Sequence, residues 1–285
     1  MKKIGFVDYY IDEWHANNYP RMIRESSFGY QFQVALAWEE MTPPGKKPLT
    51  EWCKEQGVAE AASIEQVVAE CDCIVVLSPD NAERHEDLAD MPLKSGKLVY
   101  VDKPIAPTLA AAKRLFAKAE AHGTSMMSCS SLRFGSALEA ALAGDLAGQP
   151  VRFVATRGGG RFEVYAIHQL EMLVMALGRG AKRAMQVGNE HANLMVIDYG
   201  DGRRGSINLM MGHPFQLSAQ YGVGKALAID RMDDFFPRFI EAMLEFFSTG
   251  KPLAPKEETL EIAALIEAGG LALTTPDTWV DVPRA

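Results

Sequence analysis

The sequence predicts an α/β protein. A doubly wound parallel sheet is expected at the amino end, followed by an α+β domain with a large, mostly antiparallel sheet. Three observations predict it. Apolar strand-like runs alternate with helical patterns over roughly the first 125 residues, the rhythm of a parallel sheet. Cys73-Ile74-Val75-Val76-Leu77 is continuously apolar, as a strand buried on both faces must be. From Val151 onward strand-like runs follow one another closely, and Asp201-Gly202 is a strong hairpin turn. These changes place the domains at residues 1–128 and 129–285.

The elements follow in order. A strand is expected over 3–7, then a polar and aromatic stretch over 7–14, then a helix over 16–24 with Pro20 in its first turns or interrupting it. The next strand covers 30–38, with Val34, Leu36 and Trp38 alternating. A Pro/Gly/Lys loop over 41–48 leads to a helix over 49–56 with Thr50 as its N-cap. A helix over 63–69 begins with Ser63 as cap and Gln66 three residues on, a capping box. Ser78-Pro79-Asp80-Asn81 ends the strand at 73–77, and a helix is expected over 83–91. The strand at 98–101 runs into Asp102-Lys103-Pro104, where proline lacks the donor that a ladder needs. A helix over 108–122, a strand over 125–129 and a helix over 136–143 complete this part. Further strands are expected at 151–157, 184–187, 192–199, 205–210, 216–221, 226–229 and 279–282, with helices at 165–177, 235–247 and 257–273.

Composition narrows the partners. The 285 residues are 48% hydrophobic and 23% charged, enough for a sizeable core, and the net charge is −8. No basic stripe offsets that charge, which excludes nucleic acid and anionic membranes as main partners. No apolar run approaches a membrane span, and Asp8, Asp12 and Glu13 interrupt any signal-peptide core. Cys53, Cys71, Cys73 and Cys129 are scattered, and read as reduced thiols of a cytoplasmic protein. Cys71 and Cys73 lack the spacing and partners of a zinc site, so no metal is expected there.

Asp102 and Lys103 fall at the carboxyl end of a strand, where open α/β sheets bind ligands. The plain alternative is a solvated ion pair at a strand exit. Asp102-Lys103-Pro104, the stretch from Ser78-Pro79 to His85, and His168-Gln169-Leu170-Glu171 heading an apolar helix that ends at Gly178 together resemble the Gfo/Idh/MocA family of sugar and polyol oxidoreductases. Asp stands for the family's Glu in the first motif, and Glu for its Asp in the third. The resemblance covers nearly the whole chain. It implies a Rossmann-like first domain, NAD or NADP as cofactor, and hydride transfer between a nicotinamide and a sugar carbinol. It implies that Lys103 bonds the reacting hydroxyl and relays its proton, and that His168 is the acid–base partner in a shared cleft. Glu171 would hold substrate hydroxyls, with Ser130 and Arg133 lining the same cleft. Asp8, Ser78, Pro79, His85 and Asp102 would border the cofactor. A small carbohydrate or polyol is the implied partner, and the C-terminal sheet the implied homo-oligomer interface. Structural alternatives stand beside these roles: His168 as a core histidine, Glu171 as an ordinary helix acid, Arg133 as a domain-interface ion pair.

The amino terminus departs from the family. A dinucleotide fold carries G-x-G-x-x-G between its first strand and helix, so that backbone approaches the pyrophosphate. Here those glycine positions fall at Asp8, Tyr10 and Glu13. One carboxylate–phosphate pair at ~4 Å is unfavourable by roughly 4 kcal/mol at an effective dielectric of about 20. A helix dipole returns only about 0.3–2 kcal/mol. Repulsion is expected to win unless the loop turns these side chains outward, so NAD(P) is not expected in the usual pose. A remodelled loop that binds a shifted cofactor is the alternative. Tyr9, Tyr10 and Trp14 offer flat apolar faces and Asp8, Asp12 and Glu13 accept hydroxyl hydrogen bonds, a mixture that suits a sugar ring. Tyr10 and Trp14 are therefore candidate substrate contacts. Asp8, Asp12 and His15 could instead hold a divalent ion, or the rings simply pack under the loop. The Gly-rich run from Arg157 to Arg161 could cradle an anion or merely connect two elements. Three functions remain open: an oxidoreductase with an altered nucleotide site, a redox-independent lyase, isomerase or glycosidase using the same cleft, and a non-catalytic sugar-binding relative.

Overall fold

The computed structural model describes residues 1–189 and 191–284. The chain divides into two compact units. One holds residues 1–106, 110–128 and 240–255; the other holds 107–109, 129–239 and the chain from 256.

The first unit is built on six parallel strands: β1 (Lys2–Asp8), β2 (Phe32–Glu39), β3 (Ala59–Glu60), β4 (Cys73–Val76), β5 (Leu98–Val101) and β6 (Met126–Met127). Their spatial order is β3-β2-β1-β4-β5-β6. The order reverses between β1 and β4, the switch point at which such sheets bind ligands. Ile4, Phe6 and Val7 of β1 and the whole of β4 are buried on both faces, which explains their unbroken apolar runs. Gly5 lies inside β1, where a Cβ would collide with Val67 and Cys71. This glycine therefore lets a helix approach the sheet closely and is no part of a phosphate loop.

Five helices belong to this unit's first hundred residues: α1 (Trp14–Glu25), α2 (Leu49–Gln56), α3 (Ile64–Glu70), α4 (His85–Leu88) and α5 (Asp90–Lys94). Three expectations need correcting. Helix α1 starts two residues early because Glu13 caps it. Thr50 does not cap α2; Pro48 precedes that helix, and the Thr50 hydroxyl donates to Glu60 at 2.7 Å. The helix expected over 83–91 is a short 3-10 turn at Ala82–Arg84 followed by α4 and α5. Pro92 has no amide to continue the ladder back into α4. Ser63 caps α3 as expected, while Gln66 reaches back to the amide of Ala62.

The remaining helices are α6 (Leu109–Ala121), α7 (Ser136–Ala143), α8 (Phe162–Leu177), α9 (Phe235–Thr249) and α10 (Lys256–Thr274). The end of α9 returns to the first unit. Phe247 packs on Phe32 with ring centroids 6.4 Å apart, and Glu241 accepts from the amide and hydroxyl of Ser27.

The second unit holds a seven-stranded sheet in the order β12-β11-β7-β10-β9-β8-β13. Its strands are β7 (Val151–Gly158), β8 (Arg183–Gln186), β9 (Ala192–Asp198), β10 (Arg204–Met210), β11 (Gln216–Tyr221), β12 (Lys225–Ile229) and β13 (Val280–Asp281). Only β7 and β10 pair in parallel; the other neighbours are antiparallel. Burial alternates with period two, as a one-sided sheet requires. Val154, Thr156, Ile207, Leu209, Leu217 and Ala219 face inward, whereas Phe153, Ser218 and Gln220 lie open. Helix α8 lies on the inward face, and a Cβ on Gly205 would strike its Leu173. Among the described residues no helix is long and apolar enough to cross a membrane.

Candidate functional site

In the first unit the chemistry gathers at the carboxyl ends of β1, β4 and β5. Asp8 ends β1 and is fully buried, and neither of its oxygens finds a hydrogen-bond partner. Glu13, also buried, turns back onto α1: its Oε2 accepts from the His15 amide at 2.6 Å and its Oε1 from the Ala16 amide. His15 stacks on Tyr19 and its Nδ1 donates to the Oδ2 of Asp102 at 2.6 Å. Asp102 is fully buried just past β5, beside Lys103, whose side chain is mostly covered. The Lys103–Pro104 bond is cis.

The carboxylates are driven apart in character. Burial alone would raise Asp102, but the charge and hydrogen bond of His15, with Lys103, hold it well below the usual carboxylate range. Burial and the charge of Glu13 push Asp8 well above its ordinary value; the Tyr9 and Tyr10 amides oppose this without reaching hydrogen-bond geometry. Burial also pushes Glu13 up to about 7, against the pull of His15 and the two amides. Both Glu13 oxygens act as acceptors, so a proton shared by the pair rests on Asp8.

The sign of the pH dependence follows. Folded Asp8 keeps its proton above its ordinary value of 3.8, so the folded state binds more protons and stability falls as pH rises through that window. Glu13 adds a decline between 4.5 and about 7. Asp8→Asn, which imitates the protonated acid, should match the wild type near pH 4 and be more stable at pH 8 by about 1 kcal/mol or more. Urea unfolding at the two pH values checks this; a variant less stable than wild type at pH 8 would refute it.

In the second unit Ser130, Arg133, His168 and Glu171 come together. Ser130 caps the 3-10 turn Ser131–Phe134, its Oγ accepting from the Leu132 amide at 3.1 Å. The same Oγ lies 2.7 Å from His168 Nδ1 on α8. Glu171, one turn along, accepts from the Ser130 amide at 3.0 Å through Oε2 and from Arg133 Nε at 2.6 Å through Oε1. Arg133 also donates to Glu258 at 2.5 Å. Tyr165 and Phe215 meet the His168 ring edge to face, at 5.4 and 5.5 Å. The imidazole is thus fixed by a hydroxyl on one nitrogen and by rings on its sides. Glu171 and Arg133 hold that hydroxyl's backbone in place.

The other residues singled out in the sequence have these places. Ser78 adopts a left-handed φ of +88° and its hydroxyl donates to the Asn81 carbonyl at 3.2 Å, closing the turn in which buried Pro79 sits. His85 is fully buried, donates from Nδ1 to the Ile105 carbonyl at 3.0 Å, and is kept neutral chiefly by burial. The ring of Tyr10 lies beneath the Lys46 ammonium at 5.2 Å, and Trp14 is 48% exposed. Asp8, Asp12 and His15 do not converge on a metal position, because Asp12 accepts from Asn17 and the Lys47 amide and His15 is bound to Asp102.

Two roles escaped the sequence reading. Glutamate is not a favoured N-cap, so Glu13 gave no helix-start signal. Glu39, at the end of β2, did carry one, since dinucleotide folds keep a ribose-binding acid there. In this chain its Oε2 accepts from the Ile11 amide at 2.9 Å, and its Oε1 accepts from the Leu49 amide at 3.0 Å and from Thr42.

Comparison with known proteins agrees with this architecture. Residues 10–129 match the family model of Gfo/Idh/MocA, an oxidoreductase family with an NAD-binding Rossmann fold. The match covers less than half of the chain, and over those residues the chain is similar to that family. A curated relative, the uncharacterised oxidoreductase YhhX of Escherichia coli (strain K12), is 28% identical over 135 residues, covering 41% of this chain and 39% of that protein. The match thus spans about two fifths of the relative's length. Three solved structures share the fold over nearly the whole chain. GenD2 from gentamicin A biosynthesis, in complex with NAD, is 14% identical with a TM-score of 0.79, over 99% of this chain and 97% of its own. The WlbA dehydrogenase of Bordetella pertussis, in complex with NADH and UDP-GlcNAcA, is 15% identical with a TM-score of 0.76, over 99% of each chain. A putative myo-inositol dehydrogenase of Sinorhizobium meliloti 1021 is 13% identical with a TM-score of 0.76, over 99% of this chain and 100% of its own.

Proposed function

We propose that this chain is an enzyme acting on a small carbohydrate, polyol or derivative, in which Lys103 and His168 take and return the protons of a reacting hydroxyl. The observation that carries this is the fixed imidazole of His168, bonded to Ser130 at 2.7 Å and standing on a buried helix. A proton carrier must be held in one orientation and kept near water only at its reacting edge, and His168 is 8% exposed. Lys103, 7% exposed just past β5, supplies an amine at the ligand-binding edge of the first unit's sheet. The family match, the UDP-GlcNAcA in one fold neighbour and the myo-inositol dehydrogenase name of another support a hydroxyl-rich substrate.

Two reaction types stand open to such a pair. The family match supports an oxidoreductase with NAD or NADP. The turn between β1 and α1 supports redox-independent chemistry, a lyase, isomerase or glycosidase, because Glu13 already occupies helix amides that a dinucleotide would use and Glu39, the acid that would meet its ribose, is already engaged with backbone. Proton transfer is common to both, and no electron acceptor is assigned. Turnover on a panel of polyols, sugars and glycosides, with and without dinucleotide, tests the reading. No turnover under any condition would leave the sugar-binding alternative.

The open face of the second sheet, where Phe153 is 38% exposed, is the surface we assign to self-association. Light scattering should show more than one copy in solution, and Phe153→Glu should shift it toward the monomer. A monomeric wild type would refute this.

A further inference from the structure

We infer that Glu13 acts as a built-in substitute for a dinucleotide's phosphate: by capping α1 it closes the pyrophosphate seat, so that the resting chain takes no NAD(P) in the pose usual for a Rossmann sheet. Neither the family match nor the proposed substrate class implies this, and it does not depend on Lys103 or His168.

Four observations converge. A helix N-terminus binds an anion through its first free amides. In α1 the amides of His15 and Ala16 already donate to the carboxylate of Glu13, at 2.6 Å for the first. Glu13 stands at the last position of the glycine motif, which normally carries Gly or Ala so that helix and strand pack closely. The second handle is taken too. The acid at the end of β2, which would meet ribose hydroxyls, is Glu39, and both its oxygens hold the chain's own backbone at Ile11 and Leu49. Third, Asp8 lies fully buried beside Glu13 with both oxygens unpartnered. An incoming diphosphate would meet Glu13 and Asp102 as like charges, with low screening in a buried place, and Asp8 offers it no opposite charge. Fourth, Tyr10 stands at the motif position whose glycine lets backbone approach the phosphates, and its ring lies under the Lys46 ammonium at 5.2 Å.

The arrangement is consistent with itself. The turn is closed at Glu13 by its amide donating to the Ile11 carbonyl at 2.8 Å, and Ile11 is fully buried. Opening the seat therefore means withdrawing Glu13 from two amides and uncovering Ile11. A glycine loop needs neither step.

The test is calorimetric titration of the full chain with NAD+, NADH, NADP+ and NADPH. The variants are Glu13→Gln, which keeps an acceptor oxygen but removes the charge, and Asp8→Gly/Glu13→Gly, which restores two glycines. Wild type should show no saturable binding at millimolar dinucleotide. The double variant should bind at least about tenfold tighter, a gain of about 1.4 kcal/mol. Micromolar binding by the wild type overturns the inference. So does a double variant that binds no tighter than wild type, since Glu13 would then not be what closes the seat. Should circular dichroism show the double variant unfolded, Glu13→Gln decides: tighter binding than wild type supports the inference and equal binding overturns it. Turnover on the substrate panel, measured on the same preparations, reports on Lys103 and His168 separately. Loss of one reading therefore leaves the other intact.

Discussion

Glu171→Ala should destabilise the protein by about 3–5 kcal/mol, the usual cost of removing one partner from a buried ion pair. Arg133 is almost wholly covered, and without Glu171 the carboxylate left to it among the described residues is the partly exposed Glu258. The Ser130 amide would lose its acceptor as well, adding a buried unsatisfied donor. The same change would loosen Ser130 Oγ and with it the orientation of His168. Arg133→Met/Glu171→Leu removes both charges and should recover most of the lost stability, because well-packed apolar pairs often match buried ionic ones. Urea unfolding followed by circular dichroism measures all three proteins. A loss under about 1 kcal/mol in Glu171→Ala would mean that the pair is solvated and worth no more than a surface bridge.

The pairing also shows where sequence reading stops. His168 and Glu171 could be placed on one helix face from their spacing, and Ser130 and Arg133 after a strand end. That all four would meet, and that Glu171 would serve Ser130 and Arg133 rather than lie open, depends on contacts some forty residues apart that no local pattern encodes. The parallel sheet was legible because burial on both faces forces unbroken apolar runs such as that of β4. The second sheet was legible because its one buried face forces alternation. The return of α9 was not, since a Phe-rich helix face says that it is buried but not against what. At the β1–α1 turn the missing glycines were plain to read and the charge conflict followed from them. Its resolution was not legible: Glu13 does not turn outward but inward, onto amides that a phosphate would otherwise use.

Lys103→Ala and His168→Ala should each lower turnover by about 100- to 10,000-fold, the range of a lost general acid or base. Lys103 is a flexible amine, and substituting Arg retains the charge but not a group that gives up its proton, so Lys103→Arg should be nearly as poor as Lys103→Ala. Ser130→Ala removes the hydroxyl from His168 Nδ1 without touching the ring, and should lower kcat by a smaller factor while leaving KM near its wild-type value. It should also change the pH profile of kcat, which a purely structural serine would not do. The decisive measurement is the double variant. If Lys103 and His168 carry protons in the same step, removing both should cost little more than removing either, since groups that act as a unit are strongly non-additive. Losses that multiply would separate the two residues into different steps. Wild-type turnover in either single variant would remove that residue from the chemistry altogether.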